Sequence, residues 1–382
     1  MTFEWLLTTP ARRNQECERK NQFSTDNQMD KKYCAKLALP LLSALALCSC
    51  ASRNGAGQRG HGVADTLVVM SYNVENFFDP MDNPAKDDDE FTPEGSYHWT
   101  ETRMRAKARC IAQVVVGANG WKVPDVVGLC EVEGPDSSGV SAADLLLRHG
   151  SLSTQSLNYK ALCFPTPDRR GVATAMLYNA NTVEPVEARP ISVSSAELGL
   201  FTRDILYAKM KTLRGGVVFH FMVNHWPSKY GGVEKTIPLR KFVAQRTRQV
   251  CDSILATDRE AKIVLMGDFN DTADEPSLTR DLGAHTRCDT CLLRNLSADT
   301  EDFSYKYRGV WNTIDHVIVS PGACAKGRPS FGVVKMDFLL ESDERNTGLK
   351  PRRTFYGRRY NVNADGVAGV SDHLPVMVKI AY

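Results

Sequence analysis

The sequence predicts an α/β layered domain. Eight short runs rich in Val, Ile and Leu are each bounded by Gly, Pro, Asn or Asp. Segments with helical spacing of apolar residues lie between them. Past Asp65 no linker, repeat or low-complexity block divides the chain, so one catalytic-size domain is expected over 66–382.

In chain order, strands are expected at Thr66–Asn73, Val126–Glu131, Val172–Tyr178, Ile205–Thr212, Val217–Asn224, Lys262–Gly267, Asp315–Ser320 and Leu374–Ile380. After Thr100, the residues Met104, Ala108, Ile111, Ala112 and Val115 recur at helical spacing with Arg and Lys on the opposite face. Ser141 to Asp144 resembles a capping box ahead of Leu145–Leu147. Thr236 with Pro238 is expected to open a long helix running to about Thr257. The pattern leaves the strand order open.

The N-terminus reads differently. In "MDKKYCAKLALPLLSALALCSCAS", Lys31, Lys32 and Lys36 precede an apolar run, Leu37–Leu47, that is too short to span a bilayer. It ends in "LCSC", which resembles the lipobox of bacterial lipoproteins, with Cys50 as the lipidated residue and Cys48 as the weaker choice. Residues 29–50 are therefore expected to be a lipoprotein signal peptide, and 51–65 a Gly-rich flexible tether. Residues 1–28 are polar and aperiodic, and Met29 is read as the true initiator. The expectation is an exported lipoprotein held on the periplasmic or cell-surface side by its lipid, as a monomer with no protein partner.

Composition excludes several classes. The net charge of +2 announces no bulk polyanion binder, so any such site must come from local basic patches. There is no Gly-x-Ser-x-Gly elbow and no Walker loop. "DPMDNPAKDDDE" lacks the spacing and central Gly of an EF-hand and reads as a solvated loop. Several cysteines past Cys50 lie in apolar runs and look like core residues, while Cys288 and Cys291 could close a local disulfide. No second ligand pair completes a zinc site.

The strand ends carry the chemistry. They read "SYNVENFFD", "GLCEVEG", "FMVNHWPSKYGG", "IVLMGDFND", "NTIDHVIVS" and, before the last strand, "SDHLP". Each alone is an ordinary turn. Together they gather carboxylates, carboxamides and imidazoles at the ends of at least six apolar strands. Glu131 and Asn73 are hard oxygen donors suited to Mg²⁺ or Mn²⁺, with Ca²⁺ a further option. A His beside an Asp is a proton-transfer pair. Asp268 and Asn270, two residues apart, point to one side of an extended chain. A metal, an oriented water and a charge-stabilising cation are the parts that in-line attack on a phosphate diester requires.

With those motifs in that order, the chain from Thr66 to Tyr382 resembles the endonuclease/exonuclease/phosphatase family. "NVENFFD" with "NHWPSKYGG" looks most like its bacterial secreted or lipoprotein nuclease-like branch. The resemblance implies a four-layer α/β sandwich, two mainly antiparallel sheets packed face to face and flanked by helices. It implies Glu131 as principal metal ligand with Asn73 beside it, and Asp372 as a metal or orienting group. Asp268 corresponds to the carboxylate that orients or deprotonates water, and Asn270 to its phosphate-binding neighbour. His373 corresponds to the catalytic histidine, paired with Asp315. His225 resembles the second histidine of the deoxyribonuclease and sphingomyelinase branches, with Asp168 as its candidate acidic partner and Arg170 as a phosphate contact.

For substrate, "KPRRTFYGRRY" interleaves Arg352, Arg353, Arg358 and Arg359 with aromatic residues shortly before "SDH". Arg grips phosphate and rings stack on bases, which favours nucleic acid. Lys229 and Arg240 are further phosphate candidates. The alternatives are a phosphatase or phosphodiesterase acting on inositol phosphates or phospholipid, and a non-catalytic binding lipoprotein.

Overall fold

The computed structural model describes residues 65–120, 122–286, 292–354 and 369–382. The expected signal peptide with Cys50, the tether, Cys288, Cys291, Arg358 and Arg359 lie outside the described residues.

Two sheets form the centre. The first has six strands in the order Ser330–Val333, Val376–Ala381, Thr66–Phe77, Val126–Glu133, Val172–Asn179 and Tyr159–Cys163. The second has seven, in the order Val183–Ile191, Ile205–Thr212, Val218–His225, Lys262–Asp268, Asp315–Val319, Leu293–Asn295 and Ala284–His285. Most neighbours are antiparallel. Thr66–Phe77 runs parallel to Val126–Glu133, and Val218–His225 parallel to Lys262–Asp268.

Side-chain alternation sorts the apolar residues into three layers of core. Val69, Val126, Phe221, Val264, Met266, Val376 and Val378 meet between the sheets. Their strand neighbours Met70, Tyr72 and Val127 face outward onto Ile111, Val115 and Leu146 of helices Glu101–Gly117 and Ala142–His149. On the far side, Ile263 and Leu265 face Val243 and Cys251 of helix Val233–Thr257. A period of two in a strand sends adjacent residues to opposite faces, so runs apolar at every position are buried on both sides. This is the helix–sheet–sheet–helix sandwich that the resemblance implied. Each Val or Leu withdrawn from water there contributes roughly 1.5–3 kcal/mol. Cys110, Cys130 and Cys251 are buried, as core residues.

The capping box at Ser141 and Asp144 is present. The long helix begins one turn earlier than Thr236: Gly232 is its N-cap, and the Thr236 hydroxyl donates back to the carbonyls of Gly232 and Val233. Pro238 stands within the helix, in its second turn. The strand Val183–Ile191 has no counterpart among the expected ones. It is an edge strand with an exposed middle, so it tolerates Pro185 and Pro190 and lacks an apolar pattern. No described helix is long and apolar enough to cross a membrane.

Candidate active site

Topology explains why the polar strand ends meet. The parallel pairs finish side by side, bringing Asn73 close to Glu131 and pairing His225 with Asp268. Their antiparallel neighbours begin at that same end. Asp315 lies opposite Asp268, and Val376 opposite Ser71, so the three residues Ser371–His373 arrive there before the last strand starts.

The backbone is shaped for this convergence. Glu131 has φ 61° where the register shifts between Cys130 and Val132, a bulge that re-aims its side chain. Glu75, Asn76 and Asn270 also hold positive φ, at 50°, 51° and 54°. Non-glycine residues in this region cost of order 1–3 kcal/mol each and cluster where function requires them. Gly267, at φ 138°, is required by contact: a Cβ there would stand 1.8 Å from the Asn224 carbonyl oxygen.

Asp268 is the centre. It is 2 % exposed, its Oδ1 accepts from the Asn270 amide at 2.9 Å, and its Oδ2 accepts from Asn73 Nδ2 at 3.0 Å. The Nε2 atoms of His225 and His373 each lie 3.8 Å from that same Oδ2. His373 Nδ1 meets Asp315 Oδ2 at 2.8 Å, and Asp315 Oδ2 also accepts from Ser304 Oγ at 2.6 Å. The His373 ring packs under Tyr305, with centroids 4.6 Å apart. Asn270 Nδ2 donates to the Trp226 carbonyl at 3.0 Å.

The two imidazoles are driven apart in charge. Burial works against protonation of His373, but Asp315, Asp268 and Asp372 outweigh it and hold His373 well above the usual histidine range. His225 is pushed well below that range by burial first, then by Arg203, His373 and Arg170. Burial raises Asp268 to about 7, against the pull of His373 and with Asp315 adding to it.

Other sequence candidates find definite partners. Arg170 reaches Asn76 Oδ1 at 3.3 Å and stays beside the site. Arg353 lies 2.6 Å from Glu75 and 3.4 Å from Asp372, so it braces two acids at the rim. Arg352 is fixed by its backbone, its amide bonding the Leu339 carbonyl and its own carbonyl accepting from Val370 and Ser371. Lys229 pairs with Asp271 at 3.1 Å and Glu275 at 3.2 Å. Arg240, 1 % exposed, is buried on Asp271 at 2.6 Å. Asp168 turns to Arg203 at 3.7 Å and to the Arg170 amide at 3.0 Å, while His225 Nδ1 has no hydrogen-bond partner among the described residues. The Asp168–His225 pairing is therefore corrected: Arg203 holds that carboxylate.

Arg203 was missed in the sequence. Its Nη2 donates to the Trp226 carbonyl at 3.2 Å, the same oxygen that orients Asn270. It stands two residues before the strand at Ile205, the same signal that singled out "SDH". Lys107 was also missed. Fully buried, lowered by burial to about 8, it donates to the Glu75 carbonyl and, at 2.6 Å, to Thr354 Oγ1. As one charge on an amphipathic helix it gave no signal.

The donor set fits a hard divalent cation. Its oxygens come from the carboxylates: Asn73, expected as an oxygen donor, instead turns its Nδ2 to Glu131 Oε1 at 3.1 Å and Asp268 Oδ2 at 3.0 Å, while its Oδ1 accepts from the Glu75 amide at 3.0 Å, so it positions the two acids. Among the described residues no Lys or Arg side chain pairs with either acid. Glu131 keeps some exposure, its side chain being 19 % accessible. Oxygen donors without thiolates select Mg²⁺, Mn²⁺ or Ca²⁺ over softer metals. Asp268, Asp315 and His373 also offer donor atoms within 4.8 Å of one another, with His373 Nδ1 already engaged by Asp315 at 2.8 Å.

A two-sheet sandwich with acids, an amide and two imidazoles, one favoured as the cation and one as the neutral ring, at one end defines a phosphoester hydrolase. Residues 68–382 match the model of the Endonuclease/Exonuclease/phosphatase family, and the chain belongs to that family. Its members hydrolyse phosphoric esters in a divalent-metal-dependent reaction, and this chain is such a hydrolase. Among solved structures, a family protein from Bacteroides thetaiotaomicron is similar at 16% identity and TM-score 0.51, covering 83% of this chain and 95% of that one. A D. rerio TDP2 carrying 14 humanizing mutations is similar at 14% identity and TM-score 0.50, covering 83% of this chain and 99% of that one. Both likenesses concern the fold. No curated protein matches the chain.

Proposed function

We propose that the protein is a phosphodiesterase acting on nucleic acid, with Mg²⁺ as its metal. The supporting observation is Asp268 held between two buried histidines, one favoured as the cation and one as the neutral ring, each 3.8 Å from Oδ2. Hydrolysis of a diester needs a proton taken from water and a proton given to the leaving oxygen. Asp268 orients the water and receives its proton. Attack forms the new P–O bond as the ester P–O bond breaks. His373, kept cationic by Asp315, gives its proton to the departing oxygen. Transfer from Asp268 to His373 across their contact restores the starting state. His225, neutral, hydrogen-bonds a phosphoryl oxygen, with Asn270 and Arg170 beside it. Glu131, oriented by Asn73 and with Asp372 near, would hold a divalent cation, which would supply Lewis-acid charge stabilisation to the phosphate.

The test is turnover of bis(p-nitrophenyl) phosphate, single- and double-stranded DNA, and RNA with Mg²⁺ and with EDTA. Metal-dependent cleavage of a polynucleotide is expected. Turnover confined to inositol phosphates or sphingomyelin would overturn the nucleic-acid reading. The lipoprotein reading of residues 29–50 rests on sequence alone, and Cys50→Ser is expected to release the protein from membranes.

A further inference from the structure

A small hairpin, Tyr305–Tyr307 with Val310–Asn312, stands beside His373. Its turn residues Arg308 and Gly309 have φ 49° and 84°, the two positive values of a tight two-residue hairpin turn. A Cβ at Gly309 would also lie 2.8 Å from Asn346 Oδ1, so the turn is pressed against the next loop.

The register fixes what each face of the hairpin does. Lys306 pairs with Trp311, and that face is anchored. The Lys306 side chain is 2 % exposed and meets Asp343 at 3.0 Å and the carbonyls of Thr347 and Leu349 at 2.9 and 3.0 Å. Trp311 packs onto the outer core of the first sheet. The other face carries Tyr305 opposite Asn312 and Tyr307 opposite Val310. Tyr305 lies against the His373 ring, and Tyr307 follows it outward, nearly parallel at 9° and 6.4 Å between centroids. Tyr307 is 54 % exposed and Val310 61 %. An aromatic surface thus leads from the catalytic imidazole to solvent, on a hairpin whose opposite face is fixed.

We propose that Tyr307 and Val310 form a stacking platform for a nucleobase of the substrate strand, one position away from the phosphate that is cleaved. The proposal rests on the nucleic-acid reading above and narrows it to unpaired bases. Two features favour a base over a lipid chain. The displayed rings are tyrosines in a nearly parallel row. The guanidinium of Arg308 lies 5.2 Å from the Tyr307 ring centroid, adding a cation beside the stack where the next phosphate must pass. An acyl-chain site would present Leu, Ile or Phe without a cation over the ring.

The test separates this platform from the chemistry. Binding of a fluorescein-labelled single-stranded 12-mer to the whole protein is read by anisotropy in EDTA, so that nothing is cleaved. Stacking of one base on an aromatic ring is worth about 1–3 kcal/mol, so Tyr307→Ala is expected to weaken binding roughly tenfold and Tyr307→Trp to preserve it. An abasic 12-mer should bind wild type and Tyr307→Ala equally. Turnover of bis(p-nitrophenyl) phosphate with Mg²⁺ should stay within about twofold, since Tyr307 touches no group of the catalytic centre. Equal 12-mer affinity for wild type and Tyr307→Ala, or no 12-mer binding at all, overturns the platform. If Tyr307→Ala instead abolishes co-sedimentation with phosphatidylcholine–phosphatidylglycerol vesicles and leaves 12-mer binding unchanged, the face is a lipid contact and the proposal fails. Tyr307-dependent 12-mer binding without cleavage of any polynucleotide supports the platform while removing the nuclease reading.

Discussion

His373 and His225 stand at equal distance from one carboxylate oxygen, yet the site favours the cation of the first and the neutral ring of the second. His373 comes from a turn ahead of the last strand, where Asp315 receives its Nδ1 and Ser371 Oγ receives its backbone amide at 3.0 Å. His225 comes from the end of a parallel strand, where its Nδ1 meets no acceptor among the described residues and the charges of Arg203 and Arg170 oppose its protonation. Both rings are buried at 5 % exposure, so burial cannot distinguish them. The placement of one carboxylate against two guanidinium groups does. One half of the site therefore stores a proton, while the other offers a neutral polar ring.

The most damaging way to break this contrast is to make the two halves alike. Asp315→Asn keeps the shape and removes the charge that holds His373 cationic. Loss of a positioned proton-transfer group costs typically 10²–10⁴-fold, and kcat for bis(p-nitrophenyl) phosphate should fall by about that factor with KM little changed. Because Asp315 acts through His373, the double variant Asp315→Asn/His373→Gln should be scarcely worse than either single one. Steady-state kinetics with circular dichroism as a folding control decides this. Additive losses would mean that Asp315 has a separate role.

The His225 half depends on a buried ion pair behind it. Arg240 gives its Nε to Asp271 Oδ2 at 2.6 Å and its Nη1 to Thr236 Oγ1 at 2.9 Å and the Pro227 carbonyl at 3.3 Å. Asp271 Oδ2 also receives Ser277 Oγ at 2.6 Å, and the Asp271 carbonyl faces His316 Nε2 at 2.9 Å. The loops after His225 and after Asp268 are thereby fastened to one helix. Arg240→Met leaves buried Asp271 with only Lys229 and Ser277 as partners, and a loss below the roughly 3–5 kcal/mol of a fully stranded buried charge is expected from denaturant unfolding. Replacing Asp271 as well, by Leu, should recover part of it. No recovery would show that Arg240 contributes through packing alone.

Metal affinity is the next smaller effect. Glu131→Gln keeps the oxygen that accepts from Asn76 but removes the charge, and the Mg²⁺ concentration for half-maximal activity should rise on the order of tenfold to a hundredfold. Titration of activity with Mg²⁺ measures it directly. Wild-type turnover in excess EDTA would contradict the assignment.

Most of the sandwich was legible because buried strands such as Val126–Glu133 and Lys262–Asp268 are apolar along their length and end in polar clusters. Edge strands were not, because Val183–Ile191 buries only its two ends and Tyr305–Tyr307 is three residues long. The site was legible where chemistry sits at a strand end, as with Asp268, Asp315 and His373. It was illegible where a partner is reached through space. Asp168 and His225 looked like a pair by residue type, but the segment ahead of the neighbouring strand Ile205–Thr212 brings in Arg203, which takes the carboxylate. Arg240 looked like a phosphate contact because nothing local revealed that the helix turns it inward.

Lys229 gives the gentlest test of the same contrast. It follows His225 by four residues, and charge alone suggests that it reaches for a phosphate. In the fold its ammonium lies between Asp271 Oδ1 at 3.1 Å and Glu275 Oε1 at 3.2 Å, with the side chain 35 % exposed. An ion pair so open to water contributes little, because solvent and salt screen it and two long side chains must be ordered to make it. Asp271 also keeps Arg240 when Lys229 is removed, so no buried charge is stranded. Lys229→Ala should therefore cost less than about 1 kcal/mol in unfolding free energy. KM for an oligonucleotide and the salt dependence of its binding should stay as in wild type. A phosphate contact predicts a shallower slope of log affinity against log salt, by about one unit of charge, at unchanged stability. Measuring that slope for wild type and Lys229→Ala side by side separates a support behind His225 from a binding group in front of it.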